Sequence, residues 1–485
     1  MPETIKNKKI ILAVLIFLAI ITLATAFYGS TDISDYIDPA KFFSGSYAAN
    51  IRSSHSFLFS WIISPFFALT KNFLAFKIIN LIFIILIVYS VYFISRKDIR
   101  AFWLMLLSPI VWYLAPWVNP IIVSAFFLLW AWYHIDKYDK ELSKLSLLYA
   151  GIFVGIALAF WDTILFFGAF LALPFLFNKK LSHSLLFIIA VLAGLLPRLI
   201  LDYFLFNFPF FTMIKNLFGI IAIALFLENS PMPLAWRVVP ILLIFLIIPL
   251  YFWKCAKPIV IKKEMKTLIF LLLSLLLILS NPQPRYLMAL IPIMIVISSN
   301  YINRIQWRKQ MLLSIIVSVI VIAPYIIQVG YHLGNDIHGI DVVAVVAGIK
   351  NLSVSTIHPS DLISQDLEEI EKEFPEESFI VGNTDDSYNS LARFYWGTGI
   401  KEFISIQDYN LWLDNETDLF KKRFAFLSNI EDRRYIWIEA GISKNPVDTT
   451  NYESLKYALS MDEKLDLNRF KLIKKYDLLY LWEKE

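Results

Sequence analysis

Residues 72–100 read NFLAFKIINLIFIILIVYSVYFISRKDIR, and the order of the two parts of this stretch decides the fold. The apolar run from 72 to 94 is long enough to cross a bilayer, which takes about 20 residues in a helix. It leads directly into Arg96, Lys97 and Arg100. Short loops rich in lysine and arginine stay on the cytoplasmic side, so a span that ends this way also reports its direction.

The same alternation extends over residues 1–330. Apolar spans fall near 10–28, 72–94, 101–116, 118–134, 146–160, 163–178, 184–205, 234–252, 267–281, 284–302 and 310–330, which makes about eleven crossings. Residues 56–70 are apolar too, but short and interrupted by Pro65, and read as a juxtamembrane or re-entrant helix. If that segment does not cross, the basic loops around Lys6–Lys9, Arg96–Arg100, Lys137–Lys144, Lys179–Lys180, Lys254–Lys266 and Arg304–Lys309 share one side. The positive-inside rule then puts the N-terminus in the cytoplasm and everything after about Gly334 outside. The N-terminal run Ile10–Phe27 is longer than a typical signal core and reads as a retained first helix, although Ala24-Thr25-Ala26 resembles a cleavage site.

Composition agrees. Of the 485 residues, 58% are hydrophobic and only 17% are charged, against about 25% charged in soluble domains. The formal charge of +4 follows from loop lysines that set orientation, so no nucleic-acid partner is expected. The single cysteine, Cys255, excludes a disulfide within the chain and carries no catalytic signal.

From Asn335 the sequence turns polar. Residues 361–374 are helix-like, 378–381 strand-like, and FKLIKKYDLLYLWEKE reads as two strands. The expected organisation is a transmembrane domain over 1–333, with juxtamembrane helices in an outer loop at 29–71, and a soluble extracytoplasmic α/β domain over 334–485. The latter carries the sequons Asn351-Leu352-Ser353 and Asn415-Glu416-Thr417.

On the outer side a few ionisable residues interrupt apolar sequence. Asp32 and Asp35 follow the first span, where a carboxylate at the water boundary could take a proton from an acceptor hydroxyl. The plainer role is that Asp32 or Ser34 caps a juxtamembrane helix containing Tyr36, Ala40 and Phe43. Arg285 opens a span behind Pro282 and Pro284, where its planar fork suits a lipid phosphate or serves as an interfacial anchor. Arg198 and Asp202 stand four apart on one helical face and are placed to neutralise each other; Lys215, in the next outer loop, is a further phosphate-binding candidate. Asp162 lies at a hairpin tip. His55 begins the 56–70 segment, where it could touch substrate, but it lacks metal-ligand spacing with the aspartates.

The order of these parts resembles the GT-C superfamily of membrane glycosyltransferases, in particular the dolichyl-phosphate-mannose protein mannosyltransferases and the aminoarabinose transferases. In that family the first outer loop carries an acid, a tyrosine four residues on and a small residue four beyond, as do Asp32, Tyr36 and Ala40. AGIFVGIALAFWDTILFFGAFLALPFLF, LPRLILDYFLFNFPFFT and NPQPRYLMALIPIM resemble later family elements, so that the likeness covers most of 10–305. The family's second acid in the first loop is here Ile33, which leaves Asp35 as partner, and Asn119-Pro120 stands where many relatives carry an acid.

The resemblance implies a polyprenyl-phosphate sugar donor, membrane lipid, an acceptor hydroxyl on a glycan, lipid or protein, Asp32 as base and Arg285 as phosphate binder. The need for a divalent cation stays open. The competing reading is a polytopic transporter or lipid-linked glycan flippase. Transporters more often place ionisable residues at mid-membrane and show repeated halves, and no repeat is visible here.

Overall fold

The computed structural model describes residues 3–24, 36, 39–40, 43–44, 51–52, 55–70, 74–176, 181–206, 208–214, 216–217, 264–280, 284–301, 304–326, 366, 369–370, 372–374, 377–382, 402–405, 441–442, 455–460, 463, 465, 469–477 and 479–485. Its helices are α1 (Glu3–Ala24), α2 (Leu58–Thr70), α3 (Leu74–Ile94), α4 (Ile99–Leu106), α5 (Pro109–Leu114), α6 (Ile121–Glu141), α7 (Lys144–Phe160), α8 (Ile164–Leu176), α9 (Leu181–Phe206), α10 (Met265–Ser280), a 3-10 helix η1 (Pro284–Ala289), α11 (Ile291–Ser299) and α12 (Arg304–Ile326). The chain divides into two compact units. One holds Met1–Gly29, Leu74–Ile200 and Ser230–Thr356; the other holds Ser30–Phe73, Leu201–Asn229 and Ile357–Glu485.

The first unit is a bundle built for lipid. On α3 the side chains Ile78, Ile82, Leu86, Tyr89 and Phe93 fall on one face and stand 39–54% exposed, while Phe76, Ile84, Ile87, Val88 and Val91 are buried on the other. A helix apolar on both faces belongs to a membrane, because water would penalise the outer face. The chain is an integral membrane protein. Among the described residues three helices are long and apolar enough to span, namely Leu74–Ile94, Leu181–Leu205 and Ile305–Ile322. The span expected at 234–252 lies outside the described residues.

Two expected spans are broken in ways that proline explains. The stretch 101–116 is interrupted at Leu107 and Ser108, where Ser108 is extended (φ −68°, ψ 132°) and Pro109 starts α5. All six residues of α5 are buried, so it is a core plug rather than the end of a lipid-facing helix. The stretch 284–302 starts as the 3-10 helix η1 and becomes α-helical only at Ile291, with Pro292 in its first turn. α2 has 13 residues with Pro65 inside it.

Loops expected on the cytoplasmic side meet at one end of the bundle. Lys266 Nζ lies 2.6 Å from Asp139 Oδ2, Tyr301 donates to Glu264 Oε1 at 3.1 Å, and Trp307 Nε1 donates to the Arg100 carbonyl at 3.2 Å. Tyr138 and His183 are hydrogen-bonded at 2.5 Å. These contacts tie α4, α6, α9, α10 and α12 to a common end.

The second unit contains the β-structure. β1 (Ile51–Arg52) pairs antiparallel with β4 (Gly441–Ile442). A five-stranded sheet has the order β3 (Glu402–Ser405), β2 (Ser378–Gly382), β5 (Tyr457–Ser460), β7 (Tyr480–Lys484), β6 (Phe470–Lys475). β3, β2 and β5 run parallel, and β7 and β6 antiparallel to their neighbours. Phe379, Ile380, Ala458, Leu459 and Leu481 are buried, and because neighbours along a strand point to opposite faces these residues bury both sides of the sheet; the described residues of 361–374 are helical up to Glu373. The two strands read from the C-terminal sequence are therefore present. β6 is an edge strand, its exposed Lys471, Lys474 and Lys475 discouraging further pairing. Lys474 Nζ bonds Glu373 Oε2 at 2.5 Å and holds that carboxyl below the usual range, while burial and the Glu373 bond push the Tyr476 hydroxyl up to about 12.

Candidate functional site

At the bundle end opposite the basic loops, α7 stops where Trp161 turns extended (φ −145°, ψ 118°) with its N–H still on the Ala157 carbonyl at 3.1 Å. Asp162 follows, and α8 begins two residues later. α9 approaches α7 very closely because glycines line the contact. A Cβ on Gly151 would sit 2.6 Å from Ala190 Cβ, one on Gly155 would strike the Val191 carbonyl oxygen, and one on Gly194 that of Ile152. Small residues are what allow membrane helices to touch at backbone distance. One turn beyond Gly194, Arg198 therefore reaches across. Its Nη1 lies 2.5 Å from Asp162 Oδ1 and 3.1 Å from the Leu158 carbonyl oxygen. Arg198 is fully buried and Asp162 nearly so. Only such geometry keeps a charge pair tolerable away from water.

The sequence reading placed Arg198 with Asp202 on one face; the structure pairs Arg198 with the Asp162 carboxylate in the turn between α7 and α8. Asp202 Oδ2 accepts from the Thr212 backbone N–H at 3.1 Å and from its hydroxyl at 2.6 Å, pinning the chain after α9 against the helix end. The shorter bond is charge-assisted, as suits a carboxylate with 0% exposure.

Arg285 lies on η1, buried at 8% exposure, its Cζ 5.7 Å from the centre of the Tyr286 ring. Tyr286 in turn packs at a tilt against Trp161, ring centres 5.2 Å apart. Arg285 and the Asp162–Arg198 pair thus share one neighbourhood, joined by two aromatic rings. η1 packs against α5 and α6. A guanidinium in this position presents a planar donor fork at the margin of an apolar bundle, the chemistry that binds phosphate oxygens in pairs.

Two polar residues that the sequence reading treated as ordinary span are Lys77 and Asn80, both fully buried in the first turns of α3. Asn80 Nδ2 donates to the Trp117 carbonyl in the turn between α5 and α6, where Asn119 Oδ1 accepts from Ile121 N at 2.6 Å. The available signal was a lysine and an asparagine three apart, hence on one helical face, inside an apolar run.

In the second unit the structure brings together Tyr36 and His55. Their rings stack at 5.6 Å with 11° between planes, and Phe59 meets Tyr36 edge-on at 5.8 Å. Ser60 Oγ donates to the Tyr36 carbonyl at 2.7 Å, so α2 holds Tyr36 in place. Asp32, Asp35 and Lys215 lie outside the described residues. Among the described residues no three His, Cys, Asp or Glu side chains converge on a metal-sized site.

Comparison with solved structures decides the fold. A crystal structure of ArnT from Cupriavidus metallidurans bound to undecaprenyl phosphate matches 99% of this chain and 98% of its own, with a TM-score of 0.62 and 12% sequence identity. The chain has the ArnT fold. The apo structure of ArnT from Cupriavidus metallidurans matches over the same shares, with a TM-score of 0.60 and 12% identity. No family model and no curated protein matches the sequence. The ArnT-like fold expected from the motifs is therefore present, with 99% of the chain covered.

Proposed function

We propose that this chain is a lipid-linked glycosyltransferase that moves a sugar from a polyprenyl-phosphate donor to an acceptor hydroxyl on the extracytoplasmic face. The observation that carries the reading is the match over 99% of the chain to an ArnT structure holding undecaprenyl phosphate. The buried Arg285 at the end of the bundle away from the basic loops supports it, since that is where a lipid phosphate would lie if the basic loops are cytoplasmic.

In this mechanism the Asp32 carboxylate takes the proton of the acceptor hydroxyl as its oxygen attacks the anomeric carbon. The bond from that carbon to the phosphate oxygen breaks on the opposite side, and the electron pair leaves with the phosphate, so the configuration inverts. Asp35 supports the base, and Arg285 stabilises the departing phosphate. Tyr36 and His55 are assigned to the substrate, and Lys215 to the phosphate. Asp162, Arg198 and Asp202 hold the helix ends on which the site is built.

The test compares surface glycans of cells with and without the protein by mass spectrometry. Loss of a single sugar residue from a defined glycan, lipid or protein supports transfer and names the acceptor. An unchanged glycan pool, with altered transbilayer distribution of a lipid-linked sugar instead, supports the flippase reading.

A further inference from the structure

At the end of the bundle that gathers the basic loops, the lysines around the close of α6 carry their own counter-charges. Lys140 bridges Asp136, Lys137 Nζ lies 3.8 Å from Glu141 Oε2, and Lys266 Nζ lies 2.6 Å from Asp139 Oδ2. The α3–α4 turn and the start of α12 differ. Arg96 and Lys97 in the turn, and Arg308 and Lys309 on α12, are exposed, and none of these side chains forms an ion pair among the described residues. Nearby acids are engaged elsewhere: Asp98 holds Arg100 at 2.7 Å, and Glu264 accepts from Tyr301.

Two hydrogen bonds lay α12 along α4. Trp307 Nε1 donates to the Arg100 carbonyl at 3.2 Å, and Ser318 Oγ donates to that of Leu107 at 3.0 Å. The turn that precedes α4 and the first turns of α12 therefore meet, and their cations share one rim. The turn is also fixed: the Arg96 N–H donates to the Phe93 carbonyl at 3.1 Å and the Lys97 N–H to that of Tyr92 at 2.9 Å, with φ of 56° and 64°. Glycine takes such left-handed positions without strain. Here two basic side chains occupy them.

What surrounds the cations is apolar. Phe93 is 54% exposed, Ile99 46% and Ile305 68%, which suits contact with acyl chains rather than with a soluble anion in water. A ligand that fits both parts has an anionic head and a hydrocarbon body. We propose that the α3–α4 turn and the start of α12 form a binding site for an anionic glycerophospholipid of the leaflet on the basic-loop side. Its phosphate sits among Arg96, Lys97, Arg308 and Lys309, and its acyl chains lie against Phe93, Ile99 and Ile305. The bound lipid offsets the mutual repulsion of these cations and so fastens α12 to α4. This site is at the opposite end of the bundle from Arg285 and is independent of the sugar-transfer reading.

Native mass spectrometry of the full-length protein in a neutral detergent measures the binding of phosphatidylglycerol and of zwitterionic phosphatidylcholine, with inorganic phosphate as competitor. One variant joins Arg96→Gln to Lys97→Gln, a second joins Arg308→Gln to Lys309→Gln, and a comparison variant joins Lys137→Gln to Lys140→Gln. The wild type should bind phosphatidylglycerol at least ~10-fold more tightly than phosphatidylcholine, because each cation near an anionic headgroup contributes roughly a factor of five. Each of the first two variants should lose ~10-fold or more toward phosphatidylglycerol, with phosphatidylcholine unchanged, while the comparison variant changes by less than ~2-fold. A wild type without preference overturns the proposal. So does an equal loss in the comparison variant, which would make the effect one of overall charge, or a loss in only one of the two site variants, which would mean that the turn and α12 do not form one site. Displacement of phosphatidylglycerol by an equal concentration of inorganic phosphate would replace the lipid with a soluble anion. Loss of phosphatidylcholine binding as well would mark these cations as struts of the bundle.

Discussion

Arg198 Nη1 lies 2.5 Å from Asp162 Oδ1 in a setting that leaves the arginine no exposed surface. Removing one partner strands the other charge in apolar surroundings, which typically costs about 3–5 kcal/mol. Arg198→Ala and Asp162→Ala should each lower the unfolding temperature in detergent sharply. The double change Arg198→Met with Asp162→Leu should recover most of the loss, because neither charge is then left alone. A double variant destabilised by the sum of the two single losses would mean that the pair is not coupled.

The approach of α7 to α9 depends on hydrogen in place of a side chain. Gly155→Ala drives a methyl into the Val191 carbonyl, so the helices must separate. Overpacking of this kind costs about 1–3 kcal/mol. Because separation also pulls Arg198 from Asp162, Gly155→Ala combined with Arg198→Met should destabilise by less than the sum of the two single changes, as a thermal-unfolding double-mutant cycle would read.

Thr212→Val keeps the backbone N–H on Asp202 and removes only the hydroxyl donor at 2.6 Å. Hydrogen bonds to charged groups contribute about 1.5–3 kcal/mol. The variant should be destabilised by that order, and the stretch after α9 should exchange its amide hydrogens faster than in the wild type.

The Glu373–Lys474 pair gives the C-terminal sheet a pH signature of defined sign. The bond to Lys474 lowers the Glu373 pKa below its ordinary 4.5, so its stabilisation is complete above that value and fades as pH falls through the lowered one. Lys474 is raised above its ordinary 10.5, chiefly by the bond to Glu373, so its share is complete below 10.5 and fades as pH rises through the raised value. The stability difference between wild type and Lys474→Met should be flat between those limits and shrink outside both. Being exposed, the pair should contribute little. A difference that grows in acid would reverse the assigned sign.

Much of the bundle was legible because membrane spans announce themselves through unbroken apolar runs and basic loops. The break at Trp161-Asp162, the Pro65 segment and the two C-terminal strands were visible for local reasons. What escaped depended on three-dimensional proximity. Nothing near Arg198 in sequence shows that glycines on α7 and α9 bring Asp162 within reach, and the pairing of an arginine with a carboxylate one turn away on its own helix is all that periodicity offers. Pro109 and Pro292 stand at helix starts in the structure, but the long apolar stretches around them masked the breaks at Ser108 and Leu290 in the sequence. Lys77 was overlooked because a lone lysine near a span end reads as an interfacial anchor until its burial is known.

Arg285→Lys separates charge from geometry at the phosphate. Lysine keeps the charge but loses the planar two-pronged fork, so transfer should fall by roughly 10-fold, against roughly 100-fold or more for Arg285→Gln. Steady-state assays with a labelled polyprenyl-phosphate sugar read both. Undiminished transfer in Arg285→Gln would show that the site does not depend on a cation at this position.

The most direct measurement is single-turnover transfer from a labelled polyprenyl-phosphate sugar by the full-length protein in vesicles, comparing wild type with Asp32→Asn. The asparagine keeps the shape and removes the base, so transfer should slow by about 100-fold or more, with donor binding retained. Wild-type transfer at an undiminished rate in Asp32→Asn would contradict the assignment of that carboxylate as the base.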